Sequence, residues 1–324
     1  MDANTLLTYG VLAVVALVAQ AADRRCTDPA APARPRGTLG LQDVARLLVV
    51  FVVIYAMLLG GTEIADRGKG GGSVVDGALQ IVAGGISLAL ILTGWDRIPG
   101  LRGLRPRAPI SWLALALLLL ALAHNLAPAS GSSSVADTVA KPQTTTDLVT
   151  GQVPFVMLAL ASVGPGVRRS GRQTLERLGL LPLRPWWWVV GIAVGIVVVK
   201  GGTHVYDLVN LLTPADCRAQ QEKVFQHLAG PARHWYAQVA IGVAAGTGEE
   251  LLFRGALQPR VGILLASLLW ASFHLQYTCH GLPSASNLYI LVLGLIFGVL
   301  RKRFGLGSAI AAHIAYDSTI LLGF

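Results

Sequence analysis

Charge is what this chain has least of. Only 13% of its 324 residues are Asp, Glu, Lys or Arg, against roughly a quarter in a soluble domain, so a water-exposed globule of this size is excluded. Short segments of alternating polarity are missing, which excludes a transmembrane β-barrel. Cysteine is scarce, and Cys26, Cys217 and Cys279 match no metal or redox spacing. No His-Glu-x-x-His pair occurs on one helix, and neither Ser272 nor Thr247 sits in a Gly-x-Ser-x-Gly elbow.

What the chain does contain is apolar blocks. It is 53% hydrophobic with a mean hydropathy of +0.60, and each block approaches the ~20 residues that a helix needs to cross ~30 Å of hydrocarbon. The fold class is therefore all-α, a polytopic transmembrane bundle of about ten helices at 5–22, 47–61, 78–95, 110–127, 151–166, 186–203, 234–256, 261–277, 286–300 and 306–323. Segment 151–166 is the weakest, being short and carrying Gln152 and Pro154. The first block lacks a preceding Lys or Arg, while Arg24 and Arg25 come after it; that charge order predicts a retained helix and not a cleaved signal peptide.

The net charge of +9 belongs to topology, not to nucleic acid. Loops 23–46, 96–109, 167–185, 254–260 and 301–303 hold 19 of the 26 basic residues and five acids. They are predicted to be cytoplasmic, with both termini outside a multi-pass cytoplasmic-membrane protein. Loop 128–150, rich in Ser and Thr, is then external and mobile. Cys217 and Cys279 are both external, where a disulfide between them would persist in an oxidising compartment. Trp186, Trp187 and Trp188 are read as interfacial anchors. Gly191/Gly195 and Gly294/Gly298 are spaced for close helix packing.

Ionisable residues within spans are costly and mark function. Here they crowd into the C-terminal third. Glu250 and Arg254, four apart, share a helix face and are read as a supporting pair. Glu249 points about 100° away, toward small or apolar neighbours, where burial suits a general base. His274 lies deep in the next span, and His313 and Asp317, four apart on the last, form a pair in which the carboxylate orients the ring. Glu249, His274, His313 and Asp317 are the candidate catalytic residues. A carboxylate with two imidazoles activates water and stabilises an oxyanion; Glu249, His274 and His313 equally match a catalytic zinc site with an open position. Spacing leaves these alternatives open.

Three motifs carry a resemblance: Glu249-Glu250-Leu251-Leu252-Phe253-Arg254, then Trp270 through His274, then His313 through Asp317. In order and spacing they resemble the CAAX-protease and bacteriocin-processing intramembrane protease family, which includes the type II CAAX prenyl endopeptidases. Trp270 stands where that family usually has Phe, and Asp317 is its acidic variant. The resemblance covers about 232–324, and the stretch from Arg169 to Pro185 also looks like the lead-in of bacterial members. It implies an intramembrane endopeptidase in which Glu249 activates water with help from His274, His313 and Asp317 stabilise the oxyanion or orient the site, and Glu250 and Arg254 support the helix. For the cofactor it leaves a divalent metal such as zinc and a metal-free glutamate mechanism open, with the metal-free reading preferred. It implies membrane lipid and a membrane-embedded or lipid-anchored peptide as partners. The chain ends Leu-Leu-Gly-Phe and carries no prenylation motif of its own.

The implied organisation is an N-terminal helical region of unknown role (1–150), a lead-in with one span and an external loop (151–231), and a protease core (232–324). The competing functions are a proton-coupled transporter, disfavoured because residues 1–150 hold no counterpart of the ionisable cluster, and a non-catalytic membrane scaffold.

Overall fold

Each apolar block folds as a helix, because in hydrocarbon a backbone must satisfy its own hydrogen bonds. The computed structural model describes residues 3–27, 40–66, 74–94, 98, 108–129, 144–279 and 283–323, and no β-strand occurs among them. The helices are α1 (Ala3–Thr27), α2 (Leu41–Asp66), α3 (Val74–Thr93), α4 (Pro109–Ala129), α5 (Thr145–Thr150), α6 (Val153–Val163), α7 (Gly171–Leu178), α8 (Pro185–Leu212), α9 (Ala215–Ala229), α10 (Trp235–Glu250), α11 (Gln258–Ser272), α12 (Ala285–Phe304) and α13 (Leu306–Leu321), with a π-helix at Leu251–Leu257 joining α10 to α11. Among the described residues, seven stretches are long and apolar enough to cross a membrane. Each of the ten expected segments falls on a helix.

Several boundaries differ from the sequence reading. The expected mobile loop 128–150 is partly helical: α4 runs to Ala129, and α5 starts from a capping box in which the Thr144 hydroxyl accepts from the Asp147 amide and the Asp147 carboxylate accepts from the Thr144 amide. Residues 130–143 of that loop lie outside the described residues. α8 extends nine residues past its expected end at 203. The expected cytoplasmic loop 254–260 is helical throughout, and Arg254, expected on a helix face with Glu250, is wholly buried.

The chain nevertheless reverses in that region. A straight helix would place Trp270 about 31 Å from Glu249, yet their side chains are hydrogen-bonded. The turn is at Gly262, with φ 85° and ψ 172°, a backbone conformation that side-chain-bearing residues rarely adopt. α11 therefore turns back against the π-helix and brings Trp270 to the end of α10.

α13 is gripped on two sides by glycine. A Cβ at Gly191 would lie 2.2 Å from the Ser308 carbonyl oxygen, and one at Gly195 2.4 Å from that of Ala312, so α8 packs backbone to backbone on α13. On the other side Gly242 and Gly246 of α10 admit Ser318 and Ile314. Gly294 and Gly298 of α12 similarly admit Trp270 and Ile263 of α11. The tryptophan triplet is divided: Trp186 is exposed, whereas Trp188 packs on Gly307 and Trp187 on Gly305. Trp187 and Trp188 remain partly exposed beside it.

The first four helices share a core with the rest. Val15 and Ala19 of α1, Val49 of α2 and Leu113 of α4 bury against Ala161 of α6 and Val261 and Ala266 of α11. The amphipathic lead-in helix α7 docks under the π-helix, where Arg177 donates to the carbonyls of Gly255 and Ala256. Beyond α8, α9 is tied by a Cys217–Cys279 disulfide, closing the pairing considered from the sequence, with Cα atoms 5.5 Å apart.

Candidate active site

Glu249 and Glu250 are the last two residues of α10, where the helix widens into the π-turn. Such π-segments are frequent at functional sites. The extra residue per turn rotates the downstream residues by about 100° relative to a continuous α-helix, which no α-helical projection of the sequence anticipates.

Glu249 is held by two neutral donors. Trp270 Nε1 donates to Oε2 at 2.5 Å, and Gln152 Nε2 reaches Oε1 at 3.5 Å. Gln152 caps the start of α6 and approaches because the residue before Glu249 is glycine: a Cβ on Gly248 would meet Gln152 atoms at 2.9 Å. Both of these partners are uncharged, in keeping with the apolar direction implied by the helical position of Glu249.

Glu250 has more partners than a supporting pair needs. It is fully buried. Its Oε1 meets His313 Nδ1 at 3.0 Å, and its Oε2 lies 3.3 Å from Arg254 Nε, within ion-pair range but without hydrogen-bond geometry. Arg254 donates to the Gly294 carbonyl and stacks 4.7 Å above the Trp270 ring. His313 Nε2 lies 3.4 Å from Asp317 Oδ2, so both ring nitrogens face carboxylates. The His313 ring also stacks on Phe297 at 5.1 Å. Arg254, Glu250, His313 and Asp317 thus form a continuous polar chain from the π-helix to α13.

His274 is displaced from its expected setting. It lies beyond the C-terminus of α11, in the turn leading to a 3-10 segment at Leu275–Tyr277, and not within a span. Its Nδ1 is 3.2 Å from the Trp270 carbonyl oxygen. A carbonyl only accepts, so Nδ1 carries the proton, and a neutral ring keeps its lone pair on Nε2. The turn is braced from three sides: Asn287 donates to the His274 carbonyl, Gln221 and Ser284 donate to the Tyr277 carbonyl, and the disulfide closes the turn at Cys279.

Trp270 joins the two halves of the site. Besides its bond to Glu249, its ring is 4.8 Å from that of His274 and 5.7 Å from that of His313. Trp270 and Gln152 were not among the candidate site residues. The signal for Trp270 was available, since it occupies the aromatic position of the second motif; the signal for Gln152 was a lone amide in an apolar segment.

As metal ligands, Glu249, His274 and His313 do not fit this geometry. Both nitrogens of His313 are engaged by carboxylates, and among the described residues no group of three His, Cys, Asp or Glu side chains is placed to hold a metal ion.

Residues 231–319 match the family model "Type II CAAX prenyl endopeptidase Rce1-like". The chain is also 25% identical to the uncharacterized protein YpbD of Bacillus subtilis (strain 168) over 173 residues, 51% of this chain and 82% of YpbD. No solved structure matches it. The family-model match spans all three motifs from Glu249 to Asp317, so the resemblance of this multi-span membrane protein to the Rce1-like type II CAAX prenyl endopeptidases is carried by residues 231–319.

Proposed function

We propose that this chain is an intramembrane endopeptidase that cleaves a membrane-embedded or lipid-anchored peptide, with Glu249 as general base. The observation that carries this is Trp270, whose indole donates to Glu249 and whose ring lies 4.8 Å from that of His274. A carboxylate oxygen accepts hydrogen bonds, so Glu249 can hold a water and take its proton. Water held between Glu249 and His274 Nε2 gives a proton to Glu249 as its oxygen adds to the scissile carbonyl carbon. The carbon–nitrogen bond then breaks and the proton passes to the leaving amine.

Glu250, Arg254, His313 and Asp317 are positioning residues in this scheme. His313 is 4% exposed and engaged at both nitrogens, so it braces α13 against the π-helix. Cleavage of a fluorogenic prenylated peptide by reconstituted protein tests the reading. Wild-type protein is expected to cleave and Glu249→Gln protein, inserted normally, is not; equal turnover by both would sink it.

The same reading places the arginine-rich side, with Arg168, Arg169 and Arg177, on the cytoplasmic face of the cell membrane and both termini outside. An impermeant maleimide applied to intact cells is expected to label Lys223→Cys on α9 and spare Gln173→Cys on α7.

A further inference from the structure

Between the N-terminal helices and the protease-like domain lies a cavity of ≈550 Å³. Its walls are apolar, including Leu12 of α1, Leu113 and Leu117 of α4, Leu158 of α6 and Leu257 of the π-helix. That volume lies in the range of ligand sites. The cavity reaches Phe273, next to His274, but its polar lining is elsewhere, at Thr8 and Tyr9 of α1 and at Ser162 and Arg260.

Arg260 does not stand alone. Four guanidinium groups gather around the C-terminus of α6: Arg168, Arg169, Arg177 and Arg260. Among the described residues only Arg168 directly meets a carboxylate, Asp23 at 3.2 Å, whose field also reaches Arg260. Arg169 donates to the Val163 carbonyl, Arg260 to that of Ser162 and Arg177 to those of Gly255 and Ala256. The partial negative charge of the α6 C-terminus offsets about half a charge. Three half-buried cations therefore share one region with no directly paired carboxylate among the described residues. Burial and then the fields of Arg260, Arg169, Arg301 and Arg168 push the Arg177 guanidinium down to about 10.

We propose that this seam binds an anionic phospholipid, its phosphate on Arg169 and Arg260 and one acyl chain in the cavity between α1, α4, α6 and the π-helix. The two observations are independent: an apolar cavity alone calls for any hydrocarbon, and a cation cluster alone for any anion. Their meeting at Arg260 calls for an amphiphile with both. Basic pockets between membrane helices suit acidic head groups, at about 1 kcal/mol per basic residue. The site gives residues 1–150 a role, since α1 and α4 supply half of the wall. It does not depend on peptidase activity.

Native mass spectrometry of the purified chain, titrated with phosphatidylglycerol and with phosphatidylcholine of the same acyl chains, tests this. One phosphatidylglycerol is expected to bind about 30-fold more tightly than phosphatidylcholine, from two arginine contacts. Inorganic phosphate at the same concentration is expected not to displace it. Arg169→Gln with Arg260→Gln is expected to bring the two lipids level, and Leu117→Trp to weaken both. Equal affinity of the unmodified protein for the two lipids overturns the head-group site, and displacement by inorganic phosphate reduces it to a free anion site. One-for-one displacement by a farnesylated peptide assigns the cavity to substrate instead. These three outcomes need no variant to fold.

Discussion

Trp270 Nε1 donates to Glu249 Oε2 at 2.5 Å, across a chain reversal of 21 residues. The indole that makes this bond also lies against His274, His313 and Arg254. A single aromatic side chain therefore sets the carboxylate, the free histidine and the buried ion-pair chain in one register.

Removing that donor while keeping an aromatic isolates its contribution. Trp270→Phe loses a hydrogen bond to a charged group, worth about 1.5–3 kcal/mol. The expected result is a fall in kcat of at least about 10-fold, with little change in KM and a lower melting temperature. Because Phe is the usual residue of the related motif, the loss is expected to be partial. Steady-state kinetics with a prenylated peptide reads it.

Glu249 and Glu250 are adjacent, yet their substitutions are expected to fail differently. Glu249→Gln keeps an acceptor oxygen for Trp270, gives up the 3.5 Å bond from Gln152 and removes the base, costing about 10³-fold in kcat at nearly unchanged melting temperature. Glu250→Gln leaves Arg254 and His313 buried without their carboxylate, a defect of about 3 kcal/mol. Thermal unfolding in detergent, set beside turnover, separates the two; the reverse pattern would exchange their roles.

Glycine packing around α13 gives a prediction with an internal control. Gly195→Ala places a Cβ against a backbone oxygen at 2.4 Å, whereas Gly201→Ala meets nothing within 4 Å on the same helix. Forced separation of packed backbones costs about 1–3 kcal/mol. The first variant is expected to melt lower and lose activity, and the second to match wild type.

The disulfide braces the turn that carries His274. Cys217 and Cys279 are 62 residues apart in sequence, and cross-linking a loop of that order stabilises by about 2–4 kcal/mol. Cys279→Ser is expected to lower the melting temperature, to abolish the mobility difference between reduced and non-reduced gels, and to reduce kcat by loosening His274. Unaltered kcat in a folded variant would mean that Asn287, Gln221 and Ser284 hold the turn unaided.

Membrane residence, the helical class and the place of the ionisable cluster were legible in the chain itself. Low charge and apolar blocks leave only helices as a way to cross hydrocarbon, and Glu249, Glu250, Arg254, His274, His313 and Asp317 stand out because charge is expensive there. The glycine pairs announced close packing for the same local reason. Partnership was decided only in three dimensions. The π-turn after Glu250 rotates Phe253 and Arg254 away from their α-helical directions, and the reversal at Gly262 brings Trp270 to Glu249. Sequence spacing put His274 inside a helical span and ran residues 254–260 as a loop, because hydropathy measures composition over a window and does not locate the turn made by one positive-φ residue. It likewise set Glu250 with Arg254 alone, because the His313 partner is 63 residues away and only the glycine-faced packing of α13 against α10 brings it within 3.0 Å.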